Sequence, residues 1–381
     1  MTMSTSKCKN IKWLAITILI FIHVQEGESI KWLALSKASD VRIWTKEACS
    51  GAKTSGYLER KQARACRSTP DIMPNLIQAA RDTASVCQQV FKDRRWNCSS
   101  IELAPRYTPD LLTGTRERAF VHAMSAAAAI WRLARACALG NLAICSCATP
   151  PRRVPPLIIP HTSLSLLRTN SALLDASAAK SLFKWGGCGD DVKSASRITK
   201  MFLQSSSSSS LGATGRFLHT VDMHNSRAGR RTVEQSLSLE CKCHGVSGSC
   251  SVRTCWRGLD SKGPGAAGTR IFKKYSTAAE VRPKLGRLPP LYHHDNLLYT
   301  TKSVDYCSLD KKHGSLGTIG RQCNGNGSSL GYAGCEYLCC GRGHVTKTRV
   351  VLERCECKYI SCCYSVQCST CRNIVTTYEC N

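Results

Sequence analysis

The residues best able to do chemistry lie in one short stretch, Cys241-Lys-Cys-His-Gly-Val-Ser-Gly-Ser-Cys250, continued by Ser251-Val-Arg-Thr-Cys255-Trp256. A serine hydroxyl, Ser247, three residues from an imidazole, His244, is the raw material of nucleophilic catalysis. The surroundings argue against that use. A nucleophile elbow reads Gly-x-Ser-x-Gly, and here the last position is Ser249. No Asp or Glu within three residues orients His244 as a base. Four cysteines in 15 residues around small, turn-forming residues describe instead a rigid hairpin. Two nested bridges would close it, Cys241 to Cys255 outside and Cys243 to Cys250 inside, with Gly245, Ser247, Gly248 and Ser249 at its tip. No enzyme activity is expected.

Bridges require an oxidising compartment, and the amino terminus supplies one. Lys7, Lys9 and Lys12 precede the apolar run Trp13 to Val24, and small residues at Gly27 and Ser29 follow, so residues 1–29 are expected to be a secretory signal peptide. The run is shorter than the roughly 18 to 20 residues that span a bilayer. Cleavage near Ser29 removes Cys8 from the 25 cysteines and leaves an even set of 24, the signature of a disulfide framework. Zinc is the competing use of Cys368 and Cys371. No second Cys-x-x-Cys or paired His motif completes such a site, so no metal or other cofactor is expected.

Cysteine density divides the chain: 8 lie within residues 30–240 and 16 within 241–381. The expected class is α+β and disulfide-rich. A helical N-terminal domain (30–260) would carry the projecting hairpin 241–255, followed by a linker (261–300) around Gly263-Pro264-Gly265 and Gly268, and a cysteine-rich C-terminal domain (301–381). Helical periodicity runs from Asp71 to Trp96 through Met73, Leu76, Ile77, Ala80, Val86, Val90 and Phe91, with Pro74 in the first turn. A second helix runs from an N-cap at Thr115 to Ala138, with Phe120, Met124, Ile130, Trp131, Leu133 and Cys137 facing inward. Residues 148–183, rich in proline at their start, and the run Ser205 to Ser210 look like insertions. In the last part, Val345 to Leu352, Tyr359 to Val366 and Ile374 to Tyr378 favour strands. There, bridges worth about 2 to 4 kcal/mol each would replace a core.

The segment CKCHGVSGSC closely resembles the signature of the Wnt family of secreted signalling proteins. Further motifs follow in that family's order: RRWNCSS (94–100), WGGC (185–188), HNSRAGR (224–230), RTCW (253–256), GTIGRQCN (317–324), CCGRGH (339–344) and CCY (362–364). IKWLALSK (30–37) and SSIELAP (99–105) resemble subgroup eleven. The resemblance implies an O-palmitoleoyl ester on Ser247, added by the acyltransferase Porcupine, and export on the carrier Wntless. It further implies that a thumb hairpin (His244, Gly245, Val246, Ser247, Gly248) and an index-finger hairpin (Tyr359, Ile360, Cys362, Cys363, Tyr364) grip the Frizzled cysteine-rich domain. Co-receptors of the LDL-receptor-related, Ror or Ryk kinds, and an output biased to β-catenin-independent planar cell polarity, belong to the same implication. So do the remaining bridges: Cys87 with Cys98, Cys137 with Cys145, Cys147 with Cys188, Cys307 with Cys340, Cys323 with Cys335, Cys339 with Cys380, Cys355 with Cys371, Cys357 with Cys368, a vicinal pair Cys362 with Cys363, and Cys49 with Cys66 left over. The chain departs from the family at Ser361, where an aromatic residue is usual, and has one extra residue between Cys363 and Cys368.

Charge adds a partner class. Lys and Arg number 53 against 26 Asp and Glu, a formal net charge of +27, which favours polyanions. In a secreted protein these are heparan sulfate proteoglycans of the cell surface and extracellular matrix, not nucleic acid. Clusters at Arg60-Lys61 with Arg64 and Arg67, at Arg94-Arg95, Arg152-Arg153, Arg227 with Arg230-Arg231, and Lys311-Lys312 could supply the contacts. Two sequons, Asn97-Cys98-Ser99 and Asn326-Gly327-Ser328, predict N-linked glycans. The competing reading is a heparin-binding matrix protein that carries no acyl group. A secreted serine hydrolase, the third, would react with a fluorophosphonate at Ser247.

Overall fold

The alanine run of residues 119–130 explains the architecture. In a computed structural model, which describes residues 30–38, 44–150, 184–203, 212–282, 295–325 and 331–381, this run is the buried middle of a helix with others packed around it. The expected leader, most of the proline-rich insertion, the serine run and the Asn326 sequon lie outside the described residues. The described helices of nine residues or more are α1 (Lys46–Thr54), α2 (Arg60–Ser68), α3 (Met73–Phe91), α4 (Arg116–Ala138), α5 (Val192–Leu203), α6 (Ala213–Glu234) and α7 (Gly265–Ser276). No described helix is long and apolar enough to cross a membrane.

Helix α4 starts where the sequence places it. Thr115 is the N-cap, its Oγ1 accepting the Arg118 amide at 3.1 Å. Every residue from Glu117 to Ile130 is buried. Methyl-sized side chains let α6 approach closely: an ideal Cβ placed on Gly229 would lie 1.9 Å from the carbonyl oxygen of Ala123. That contact is with backbone, so the helices must separate to admit a methyl group. Gly229→Ala is therefore expected to destabilise the protein by about 1 to 3 kcal/mol. A lowered denaturation midpoint is the expected readout, and an unchanged midpoint would contradict this crossing.

Helix α3 has Pro74 in its first turn, as expected, but ends at Phe91 and not at Trp96. The chain turns there because Trp96 is used elsewhere: its indole N–H donates to Asp110 at 2.8 Å. Phe91 sits at the centre of an aromatic cluster, edge-on to Trp96, Phe120, Phe272 and Tyr275 with centroids 4.8 to 5.0 Å apart. Of the side chains expected to face inward from α4, Trp131 is half-buried and the other five are fully buried. The segment directly after the expected cleavage point, Ile30 with Trp32 to Leu35, is also core.

The described start of the expected linker is helical. Gly263 has φ +89° and ends a turn, but Gly265 opens α7, which buries Ala267, Gly268 and Ile271. Gly268 is a packing residue, since a Cβ there would fall 2.2 Å from Val86 of α3. Strands β4 (Ala279–Glu280) and β5 (Leu298–Tyr299) then pair in parallel. Asn225 of α6 holds β5, its amide accepting from the Leu298 N–H at 2.8 Å and donating to the Leu298 carbonyl at 2.9 Å.

In the C-terminal part, β6 (Leu309–Asp310) pairs with β7 (Ser315–Leu316), and β8 (Gln322–Cys323) then joins the next two strands in a sheet of order β8-β10-β9. Strands β9 (His344–Ile360) and β10 (Ser365–Cys380) form one long antiparallel hairpin with a register shift between Gln367 and Ser369. The three short runs expected from sequence thus merge, and the middle one, 359–366, contains the turn. The local core is Cys323, Cys335, Leu338, Cys339 and Cys380 under Tyr378, so sulfur takes the place of aliphatic packing.

Eleven bridges form among the described residues, with the partners given above. The twelfth does not: Cys362 and Cys363 are free thiols with sulfurs 2.9 Å apart. The turn over Ser361–Cys363 holds the two sulfurs beyond the roughly 2.05 Å of a disulfide bond.

Candidate functional site

Two projections carry the residues singled out by sequence. The first is built from β2 (Ser238–Cys243) and β3 (Arg253–Gly258), antiparallel, with β1 (Lys184–Trp185) added in parallel along β3. Cys241 and Cys255 face each other in register and are bonded, and Cys243 to Cys250 closes the loop above them. The base is fixed by the Trp256 indole donating to Glu240 at 3.2 Å and by Gly187, where a Cβ would fall 2.7 Å from the Trp256 ring. The hairpin is thus tied into a stiff stalk before its tip begins.

At the tip, residues 246–248 make a single tight turn. Ser247 adopts φ 55°, ψ 26°, the left-handed region disfavoured for a residue with a Cβ. Gly245 cannot be replaced without displacing its neighbours, because a Cβ there would lie 2.0 Å from Ser249 Oγ and 2.6 Å from the Ser249 carbonyl oxygen. The turn thereby separates two serines that sequence alone cannot rank. Ser249 is held, its Oγ 3.1 Å from that of Ser251. Ser247 is exposed, and among the described residues nothing hydrogen-bonds its hydroxyl. Beside it Val246 is 90% exposed. His244 is also spoken for: its Nε2 lies 2.7 Å from Thr254 Oγ1. The arrangement presents an unhindered primary hydroxyl on a rigid support, a good acceptor for a transferred group.

The second projection is the far end of the β9-β10 hairpin, cross-linked by Cys355–Cys371 and Cys357–Cys368. Its tip is a turn over Ser361–Cys363 followed by Tyr364 with φ 49°. Tyr364 is 87% exposed and Tyr359 62%, whereas Ile360 is partly covered. Hydrogen bonding to Cys362, with a smaller contribution from desolvation, raises the Cys363 thiol above its ordinary pKa. Sequence reasoning missed Val366, directly across from Tyr359, and an exposed apolar row of Val350, Leu352 and Ile374 further down. The apolar run Val350-Val351-Leu352 was the available signal.

Asn97 lies half-buried beside the bridge Cys87–Cys98, its Oδ1 accepting the Ser99 amide at 3.3 Å. The expected thumb and finger residues occupy two separate tips and form no single enclosed cleft.

A disulfide-stapled helical body that holds out two rigid hairpins, one ending in a free hydroxyl, defines a protein that presents surfaces. Comparison with known proteins makes the class specific. A profile of the wnt family matches residues 54–381. Wnt-11 of Gallus gallus is 38% identical over 382 residues, spanning 97% of this chain and 98% of that protein. Wnt-11b-2 of Xenopus tropicalis is 36% identical over 363 residues, 92% and 94% of the two chains. Among solved structures, that of human WLS in complex with WNT8A matches with a TM-score of 0.54 and 28% identity, covering 81% of this chain and 94% of that one. The chain belongs to the Wnt family, whose members are secreted signalling ligands.

Proposed function

We propose that this chain is a lipidated ligand of Frizzled receptors, with Ser247 as the palmitoleoyl acceptor. The observation that carries the reading is the free, exposed Ser247 hydroxyl at the tip of a doubly bridged hairpin. Porcupine would acylate it in the endoplasmic reticulum and Wntless would carry the product, as fits a chain similar to WNT8A, which was solved in complex with WLS. The acylated thumb engages one side of the Frizzled cysteine-rich domain, and the finger engages the other through Tyr359, Ile360, Tyr364 and the Cys362-Cys363 turn. With Ser361 in place of an aromatic anchor, the finger contributes less than is usual for such hot spots. An N-glycan is placed at Asn97. Likeness to Wnt-11 proteins supports a β-catenin-independent, polarity-type output, with Ror, Ryk or LDL-receptor-related co-receptors. The +27 charge supports retention on heparan sulfate in the extracellular matrix.

Intact mass of the secreted protein tests the acylation directly. The expected result is one palmitoleoyl group, mapped by peptide fragmentation to Ser247. A secreted, receptor-active protein without an acyl group would refute the assignment.

A further inference from the structure

A cavity of about 340 Å³ lies at the seam between the helical body and the C-terminal part, within the range of small-molecule sites. Four cations converge on it: Arg94 and Arg95 after α3, Arg116 in the first turn of α4, and Lys302 after β5. Sequence had placed Arg94-Arg95 among surface clusters, yet all three arginines are half-buried and, of the four, only Lys302 is exposed. Aromatic rings hold the guanidiniums in place. Arg94 lies 3.2 Å from the Tyr332 centroid, Arg95 4.2 Å from that of Tyr337, and Arg116 4.7 Å from that of Tyr299. Arg95 also donates to the Tyr337 carbonyl at 2.9 and 3.1 Å, and Arg116 to the Tyr299 hydroxyl at 3.0 Å.

Among the described residues, none of the four cations forms an ion pair. Two carboxylates line the cavity, and both are engaged by neutral donors. Glu117 accepts from the Tyr275 hydroxyl at 2.9 Å and from Ser303 Oγ. Asp305 accepts the Cys307 amide at 3.0 Å. The turn bearing Arg94 and Arg95 is braced from the other half of the molecule, Arg321 donating to the carbonyls of Arg95 and Lys92 at 2.7 and 2.9 Å. Cations that are positioned in advance, partly desolvated and short of anions make a receptor for a tetrahedral oxyanion, with volume left for the group that bears it.

We propose that this cavity binds a sulfate ester of a saccharide, seating one residue of a sulfated polysaccharide with Lys302 at the mouth. The proposal rests on the reading that this chain meets sulfated polysaccharide outside the cell, and gives that contact a defined seat distinct from the general surface charge. Secreted full-length protein would be titrated with a heparin-derived tetrasaccharide at constant ionic strength. Lys302→Glu and Arg116→Gln should each weaken binding about tenfold, the loss expected for one charge-assisted hydrogen bond. Lys53→Gln, on the exposed face of α1 and outside the basic clusters, should change it less than twofold. Lys302 is solvent-exposed, so its replacement keeps the test valid even if the Arg116 variant folds poorly. Binding by both cavity variants equal to the parent's would overturn the seat while leaving polysaccharide binding intact. Absence of tetrasaccharide binding by the parent would instead remove the reading beneath it. Displacement of the tetrasaccharide by inorganic phosphate or sulfate at equal concentration would assign the cavity to the free ion and overturn the saccharide.

Discussion

Replacing Ser247 with alanine is expected to leave a folded chain that carries no acyl group and binds the Frizzled cysteine-rich domain at least a thousandfold more weakly. Folding should survive because the Ser247 side chain touches nothing that holds the hairpin: the stalk depends on Cys241–Cys255 and Cys243–Cys250, and the tip on backbone bonds such as Gly245 N–H to the Ser249 carbonyl at 2.8 Å. The size of the loss follows from the lipid. At about 0.8 kcal/mol per buried methylene, a 16-carbon chain contributes on the order of 10 kcal/mol before ordering costs. A thousandfold change corresponds to about 4 kcal/mol, so the expected loss stands even if more than half of the gross term is offset. No side chain at the tip could substitute; Val246, fully exposed, would bury at most roughly 3 kcal/mol. Ser249→Ala is the matched control. Its hydroxyl is tied to Ser251, and it should remain acylated at Ser247 and bind as the parent does. Acylation of Ser247→Ala, or loss of acylation in Ser249→Ala alone, would move the acceptor to the other serine.

That ranking of two serines shows where sequence reasoning stops. Spacing was enough to nest the bridges of this hairpin, because four cysteines around a glycine-rich centre leave few ways to close, and enough to cap α4 at Thr115, because capping is a local property. It could not tell Ser247 from Ser249, since the difference lies in backbone torsion and in one hydroxyl contact. Glycine misled in the opposite direction. Gly263, Gly265 and Gly268 read as a linker by composition, but the Gly268 position is needed for α7 to approach Val86, a long-range reason invisible along the chain. Likewise the run Tyr359 to Val366 has strand-forming residues, yet the turn at Ser361–Cys363 bends it back on itself so that Tyr359 faces Val366. Arg94 and Arg95 looked like surface charge because their ring partners, Tyr332 and Tyr337, lie more than two hundred residues away.

The same blindness hid the ionic core. HNSRAGR is a recognisable motif, but Asp222, just outside it, makes the buried contacts. Its carboxylate accepts from Arg118 Nε at 3.0 Å and Nη2 at 2.7 Å, and lies 3.2 Å from His122 Nε2. Arg118 Nη1 donates to the carbonyls of Leu111 and Leu112. Asp222→Ala is expected to destabilise the fold by about 3 to 5 kcal/mol, because it strands a buried guanidinium without its anion. The double variant Arg118→Met with Asp222→Leu should recover much of that loss, since a buried pair as a whole is worth little against apolar packing. The triad also gives a pH dependence with a definite sign. Burial drives His122 down to about 4 despite the attraction of Asp222, so the folded protein keeps it neutral. The unfolded chain takes up a proton near 6.5, and stability therefore falls as pH drops from about 6.5 toward 4, by on the order of 3 kcal/mol. Burial pushes the Asp222 carboxyl up, but Arg118 and His122 outweigh it and hold the group below its ordinary range. Its contribution is thus present above pH 3.8 and is lost only as pH falls through the depressed value, below the histidine window. Denaturant unfolding with disulfides intact should show a lower midpoint at pH 5 than at pH 7, and His122→Gln should flatten that difference. An equal slope in the His122→Gln variant would place the titrating group elsewhere.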